Sequence, residues 1–353
     1  MDMNNTEMNF SPEDFVLVGA DKISHLDENY ASKSYWRDVL SRFTKNKGAV
    51  VGLFFILLVI AMAIIGPHMT GHTYDSQIIA HQNLAPRVKG LENLGVFDGS
   101  EKMHTSQGSV KQNKYISEDS TVTTGLENTY YWFGTDVLGR DIFTRTWTGT
   151  RISLYIALVA VVVDMCFGMV YGLISGYFGG KVDMFLQRFA EIINGIPTLV
   201  VVTLLILVFR PGLVTITLAL AITGWIGMSR VARAQVLKLK EQEFILASKT
   251  LGARDFFIIF KEILPNIFGQ LIVMSMFSIP NAIFTEAFLA FIGLGVPAPL
   301  ASLGSLISDA FKSFTTHPYM IVFPVIVLAI IMLSFNMMAD GLRDAFDPKM
   351  KEM

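Results

Sequence analysis

Six stretches of this chain are apolar for long enough to cross a lipid bilayer, and that limits the folds open to it more than any other feature. Gly48 to Gly66 is 19 residues without a charge. At ~1.5 Å of rise per residue, a helix of that length spans most of a ~30 Å hydrocarbon core. Comparable runs are Ile152 to Tyr177, Ile192 to Phe209, Leu213 to Met228, Ile267 to Leu294 and Tyr319 to Met338. A backbone in lipid must satisfy its own hydrogen bonds, so runs of this length read as helices. The expected fold is all-α, a polytopic transmembrane helical bundle. Gly179-Gly180-Lys181 predicts a tight turn after the second run, and Arg210-Pro211-Gly212 a sharp reversal between the third and fourth. Pro280 is expected to interrupt the fifth. Composition agrees: 52% of the 353 residues are hydrophobic and 16% charged, against about 25% charged in soluble domains.

Six spans put both termini on one side. Excess Lys and Arg mark the cytoplasmic side, and short loops carry the vote. Seven basic residues lie between Arg230 and Lys261, whereas Arg210 and Lys312 stand in the short loops of the opposite side. Both termini are therefore expected in the cytoplasm of a multi-pass cell (plasma) membrane protein. Residues 1–30, with seven acids and one Lys22, read as an acidic cytoplasmic tail. In 31–47, Trp36, Val39, Leu40 and Phe43 recur at helical spacing among basic residues, which suits an amphipathic membrane-surface helix. The first span follows at 48–66 and a polar extracellular insertion at 67–131. There Val110 to Thr124 alternates enough to pair as strands. A five-span core at 132–345 contains a cytoplasmic loop at 241–266, and 346–353 is a cytoplasmic tail.

Several function classes drop out. A net charge of −2 gives no electrostatic case for nucleic acid. One cysteine, Cys166, permits neither an internal disulfide nor a Cys-rich metal site. The first 47 residues are polar, so no cleavable signal peptide is expected. No Gly-x-x-x-x-Gly-Lys-Ser/Thr loop occurs. No nucleophile triad, paired carboxylates or Zn cluster stands out.

The most informative stretch is Glu243 to Asn266, which lies between two spans and is too polar for lipid. It reads as two short helices. Phe244, Ala247, Ser248 and Leu251 share one mixed face. Gly252 is a natural stop, Asp255 a candidate cap for the next helix, and Pro265 its expected end. The result is a knob with a flat surface of small residues at Ala247, Ser248, Gly252 and Ala253.

This stretch resembles the Glu-Ala-Ala coupling loop of the membrane subunits of ATP-binding-cassette importers. Glu243, Phe244, Ala247, Leu251, Gly252, Ala253, Leu264, Pro265 and Asn266 fit that pattern, while Leu246 and Ser248 depart from it. Further motifs are similar to the C-type permease subunit of oligopeptide and dipeptide importers. They are Gly134-Thr135-Asp136 with Gly139-Arg140-Asp141, Gly176-Tyr177-Phe178-Gly179-Gly180 with Asp183, Glu286-Ala287 with Phe291 to Gly295, and Phe335-Asn336 with Asp340 to Asp344. Leu303 stands where the family usually has Trp. The resemblance covers about 34–66 and 132–349, with the 67–131 insertion outside it. It implies an importer type I permease core, and an ATP-driven importer carrying oligopeptides from an extracellular binding protein into the cytoplasm. The implied partners are a related second permease forming a heterodimer, two ATPase subunits, an extracellular peptide-binding lipoprotein, the peptide and membrane lipid, with no nucleic acid. The chain itself would be no enzyme and carry no cofactor, since ATP and Mg would sit on the ATPases. Dipeptide or nickel import is the alternative within the family, and an ion-coupled secondary transporter outside it. That rival would show an internal repeat, and none is visible.

Asp164 and Glu286 lie within apolar spans, where a charge costs about 2.5–3.5 kcal/mol on insertion scales and usually faces a cavity. Both are candidates for the translocation pathway or its gate, Glu286 ahead of Asp164 because it follows Pro280. A hydrogen bond to a neighbouring helix is the plainer alternative. His68 and His72 stand four apart, a metal-ligand spacing on a helix, but in a turn-rich loop they read as solvated histidines, so no metal site is expected. Gly168, Gly172 and Gly176, also four apart, predict close approach of another helix, with a span of this same chain the favoured partner.

Overall fold

The computed structural model describes residues 35–92, 97–105, 108–116 and 124–346; the acidic tail at 1–30 and the end of the chain after 346 lie outside them. Helix α1 (Tyr35–Lys45) turns Val39 and Phe43 inward. Asn46 then starts α2 (Lys47–Ile65) by accepting a hydrogen bond from the Ala49 amide at 3.1 Å, which satisfies an orphan donor of the first turn. Its amide group reaches Asp344 Oδ2 at 3.1 Å. That contact joins the start of α2 to the end of α12 (Tyr319–Phe346). The two helices run antiparallel, and small residues let them close. A methyl group at Gly52 would stand 2.7 Å from the Ser334 carbonyl oxygen, and one at Gly341 would overlap Ala49.

The second span is longer than its apolar run. It comprises α3 (Ile142–Val163), a π-helical turn at Asp164–Gly168 and α4 (Met169–Phe178). Asp141 caps α3 through the amides of Phe143 and Thr144 at 3.3 and 3.1 Å. The third apolar run is not a straight span. It is α5 (Gly180–Asn194) and α6 (Thr198–Phe209), bent by 76°. Pro197 at the break has no amide to extend α5 and restricts the residue before it. At 12 residues, α6 is about 18 Å long and would not cross alone. The described residues thus hold five helices long and apolar enough to cross, or six if the bent pair counts as one. Arg210, at φ 66°, makes the expected reversal into α7 (Leu213–Leu239), which runs well past Met228.

The other expected interruption moves. The fifth span passes unbroken through Pro280 within α10 (Leu264–Leu289) and stops at a π-helical turn, Ala290–Leu294, where Gly293 takes φ 89°. Proline is tolerated inside a span because neighbouring groups can serve the freed carbonyl. A short α11 (Leu303–Phe311) precedes α12, with Ser302 and Ser305 forming its capping box. Leu303 is fully buried in a core shared with Trp147, Ile283, Val327 and Ile331. A second core, built on Leu173, Met228, Ile245, Ile263 and Leu271, fills the opposite end of the bundle.

Of the stretch expected to pair, Val110 to Thr124, only the part within β2 (Gly108–Asn113) is strand among the described residues, and its partner β1 (Ser100–Thr105) lies outside that stretch; residues 117–123 lie outside the described ones. Elsewhere in the segment, short 3-10 turns at Gly66–His68 and Ile79–His81 and a small core of Leu84, Tyr115 and Tyr131 occur among the described residues, with Arg87 lying 5.0 and 4.8 Å from the ring centres of Tyr115 and Tyr130. His72 stacks on Tyr131 at 4.8 Å, and His81 Nδ1 is 2.6 Å from the Tyr131 hydroxyl. Burial, and then the nearby His72, hold His81 below its usual range. No group of three or more potential metal-binding side chains occurs among the described residues. The Gly-Thr-Asp motif ties this segment to the bundle. Thr135 Oγ1 accepts from the Leu84 amide at 2.8 Å and donates to the His81 carbonyl at 2.6 Å.

Candidate functional site

Two regions hold the sequence-derived candidates, at different depths of the bundle. The first is the loop between α7 and α10. Its helix α8 (Glu243–Thr250) is anchored by Ile245, which is fully buried against Ile258, Ile259 and Ile263. Gly252 ends the turn at φ 83°, as expected, and the Ala253 amide closes back on the Ser248 carbonyl at 3.0 Å. Ser248 Oγ donates to Glu262 Oε1 at 2.6 Å across the loop.

Four details differ from the sequence reading. Asp255 opens the short α9 (Asp255–Phe257) without capping it; its Oδ1 accepts the Tyr177 hydroxyl at 2.7 Å. Pro265 ends no helix, because it falls in the first turn of α10, where its missing amide had no partner anyway. The π-helical turn Ile258–Ile263 carries α9 straight into α10, so the expected second short helix is the root of the fifth span. Nor is the surface flat. Ala247 and Gly252 are exposed and Ser248 and Ala253 half-buried, while Leu251 (88% exposed) and Phe256 (74%) stand out beside them. Leu264 is half-buried, and the exposed Asn266 donates to the Glu262 carbonyl at 2.6 Å. Glu243 is exposed at the start of α8.

The loop is braced from below by residues far away in sequence. The Lys240 ammonium donates to the Gly176 carbonyl at 3.1 Å, and Lys249 stands 4.9 Å over the Tyr177 ring. Arg233 grips Asp183 with two bonds of 2.6 Å, a bidentate geometry that fixes orientation as well as distance. Ser175 Oγ donates to the same carboxylate at 2.5 Å. The glycine stripe makes this possible. A methyl group at Gly168 would lie 2.5 Å from the Trp225 carbonyl oxygen, one at Gly172 would overlap that of Ser229, and one at Gly176 would lie 2.9 Å from Val236 Cβ. The groove is filled by α7 of the same chain. Sequence reasoning singled out Gly176, Tyr177 and Asp183 as motif residues, but not their partners Lys240 and Arg233, and it gave Asp255 a capping role in place of its bond to Tyr177. Nothing local signals a contact across 50 or more residues.

The second region is inside the bundle, and the structure reorders the two carboxylates. Glu286 is fully buried and lines none of the described cavities. Its Oε2 accepts the Ser153 hydroxyl at 3.1 Å, and Ser153 in turn accepts the Leu303 amide at 3.2 Å. It sits one hydroxyl away from the first turn of α11, whose partial positive charge favours a carboxylate. Asp164 opens the π-helical turn and lines a cavity of about 320 Å³, where α3, the α5–α6 bend, α7 and α10 meet. π-helical turns inside α-helices concentrate at functional sites.

Comparison with known proteins places these features in a lineage. The family described as "Binding-protein-dependent transport system inner membrane component" matches residues 168–352. The "N-terminal TM domain of oligopeptide transport permease C" matches 34–86, so the resemblance reaches into the segment expected to lie outside it. The chain is 41% identical to the oligopeptide transport system permease protein OppC of Bacillus subtilis (strain 168), covering 97% of both chains. It is 39% identical to the dipeptide transport system permease protein DppC of the same organism, over 96% of this chain and 94% of the relative. Among solved structures, a chain of the MetNI methionine ABC transporter in an inward facing conformation aligns with 57% of this chain and 96% of its own length, at 18% identity and a TM-score of 0.49. With matches over half its length and relatives of this identity along nearly all of it, the chain belongs to the family of binding-protein-dependent transport system inner membrane components.

Proposed function

We propose that the chain is a membrane-spanning permease subunit of an ATP-driven importer that carries oligopeptides from an extracellular binding protein into the cytoplasm. The observation that carries this reading is the loop at 241–266. It is exposed, apolar at its tip, and braced onto two spans through Tyr177–Asp255, Lys240–Gly176 and the buried Ile245. Such a loop can transmit force. In this reading the exposed Ala247, Leu251, Gly252 and Phe256 seat in an ATPase subunit in the cytoplasm, where both termini also lie. ATP and magnesium belong to two such ATPases, and the chain is not itself an enzyme. A related second permease completes the pathway, and a binding lipoprotein delivers the peptide. Closure of the ATPases pushes α8, and the rigid seam of α4 with α7 tilts the spans that border the cavity. A ligand shifts such an equilibrium only through unequal affinity for the two states. Asp164 stands on the pathway, and Glu286 holds the outer ends of α3, α10 and α11 together.

Purification from the native membrane in mild detergent, followed by reconstitution, tests the reading. A related permease, two ATPases and a binding protein should co-purify, and the liposomes should take up peptide only with ATP. A chain that purifies alone and transports without ATP would overturn it.

A further inference from the structure

The cavity beside Asp164 is one-sided in charge. Asp164 is 7% exposed and is the one ionisable side chain among its described lining residues. Its Oδ1 is buried without a hydrogen-bond partner, an arrangement that is costly unless something fills it. Three of the four hydroxyls in the lining have no hydrogen left to offer. Thr223 donates to the Ala219 carbonyl at 3.3 Å, Ser278 to Met274 at 3.2 Å and Thr285 to Asn281 at 2.8 Å. Each hydroxyl carries one donor and two acceptor lone pairs, so these three can only accept. Gly224 makes the room: a methyl group there would stand 2.6 Å from Asp164 Oδ1 and 3.1 Å from Oδ2. The walls therefore present a buried carboxylate beside three hydroxyls that can only accept, with the Thr198 hydroxyl and the side-chain amides of Asn194 and Asn281 also in the lining and no cation among the lining residues.

We propose that this cavity receives the primary ammonium group of the transported substrate, with Asp164 as its counter-ion and Thr223, Ser278 and Thr285 as further acceptors. An ammonium carries three donors and no acceptor, which complements the carboxylate and these three hydroxyls. The cavity, at about 320 Å³, is far larger than a single ion needs, since one water takes about 30 Å³. It therefore admits the end group of a peptide with its first side chain. The inference rests on the reading of the chain as a peptide permease and deepens it. It makes a free amino group a requirement at the membrane step, separate from any selection by a binding protein.

The test is solute protection in the purified transporter complex without its binding protein. Gly227 also lines the cavity, and a methyl group there meets only Met274 Cε, at 3.6 Å. Gly227→Cys in a Cys166→Ala background puts a single reporter thiol of this chain in the wall. Maleimide labelling of that thiol is followed with trialanine, N-acetyl-trialanine or sodium chloride present, and ATP-driven trialanine uptake is measured in parallel in liposomes to which the binding protein has been restored. Trialanine at ten times its half-protecting concentration should slow labelling roughly tenfold, and N-acetyl-trialanine should not. Asp164→Asn should abolish protection, and Gly224→Ala, which keeps the charge but crowds the carboxylate, should weaken it. Equal protection by both peptides, protection that survives Asp164→Asn, or protection by sodium alone would overturn the proposal while ATP-driven uptake left the permease reading intact. A thiol that stays unlabelled would overturn it too, because the cavity would be closed to solutes. Absence of any ATP-driven uptake would take both down together.

Discussion

Gly168→Ala should loosen the seam that carries the loop, and the size of the effect can be worked out. An added Cβ would lie 2.5 Å from the Trp225 carbonyl oxygen and 2.9 Å from Met228 Cβ. Ordinary contact begins near 3.4 Å, so the π-helical turn and α7 must part by roughly 1 Å. The obstacle is backbone, which cannot swing aside as a side chain would. Overpacking of this kind costs about 1–3 kcal/mol. Replacing a helical glycine by alanine returns about 0.5–1 kcal/mol of backbone entropy, leaving a net loss of about 1 kcal/mol from the midpoints and about 2.5 kcal/mol at most. Gly227→Ala is the control, because it gains the same backbone term and meets one flexible atom at 3.6 Å. Thermal unfolding of both variants in the same mild detergent, at one scan rate, gives the comparison. Gly168→Ala should melt below the parent and Gly227→Ala at or above it. If Gly168→Ala melts with Gly227→Ala, the close approach of the two spans is wrong.

Three further outcomes follow from particular contacts. Tyr177→Phe removes the hydroxyl that reaches Asp255 at 2.7 Å; a bond to a charged group is worth about 1.5–3 kcal/mol when buried, less at this exposed carboxylate, so ATP hydrolysed per peptide imported should rise with assembly retained, and an unchanged ratio would refute the strut. Gly252 sits at φ 83° with nothing within 4 Å of an added Cβ; Gly252→Val should therefore uncouple transport through backbone strain of about 1–2 kcal/mol, whereas Gly252→Asn, which visits that region readily, should stay near the parent in the same assay. Burial raises the Asp98 carboxyl, but hydrogen bonds from Lys111 and Ser100 outweigh it and hold it at about 2, against an unfolded 3.8. Its contribution to the hairpin is thus complete above pH 3.8 and lost as pH falls through about 2; amide exchange at Ser100–Asn113 should show that loss, and Lys111→Met should move it to higher pH.

Much of the architecture was legible because lipid leaves a chain few choices. Run length gave the spans, Arg210-Pro211-Gly212 their reversal, and the four-residue glycine spacing a close helix contact. What failed locally failed for reasons of context. Pro280 reads as a break, yet α10 continues through it, while Pro197, inside a run read as one straight helix, makes the 76° bend. A proline's effect depends on whether neighbours can serve the freed carbonyl, and sequence does not list neighbours. Asp255 has the right residue type for a cap, but the Tyr177 hydroxyl claims it.

The sequence by itself determined that the chain is a helical membrane protein with a polar insertion after its first span and a loop between its fourth and fifth, because apolar run length and glycine or proline placement act within a few residues. Only the tertiary structure decided which buried carboxylate faces a cavity. Asp164 and Glu286 are both single carboxylates in apolar runs, and sequence placed Glu286 ahead because it follows Pro280. One meets Gly224 and an open space, the other Ser153 and the first turn of α11. The difference is made by residues 60 and 133 positions away, brought there by packing that no local pattern encodes.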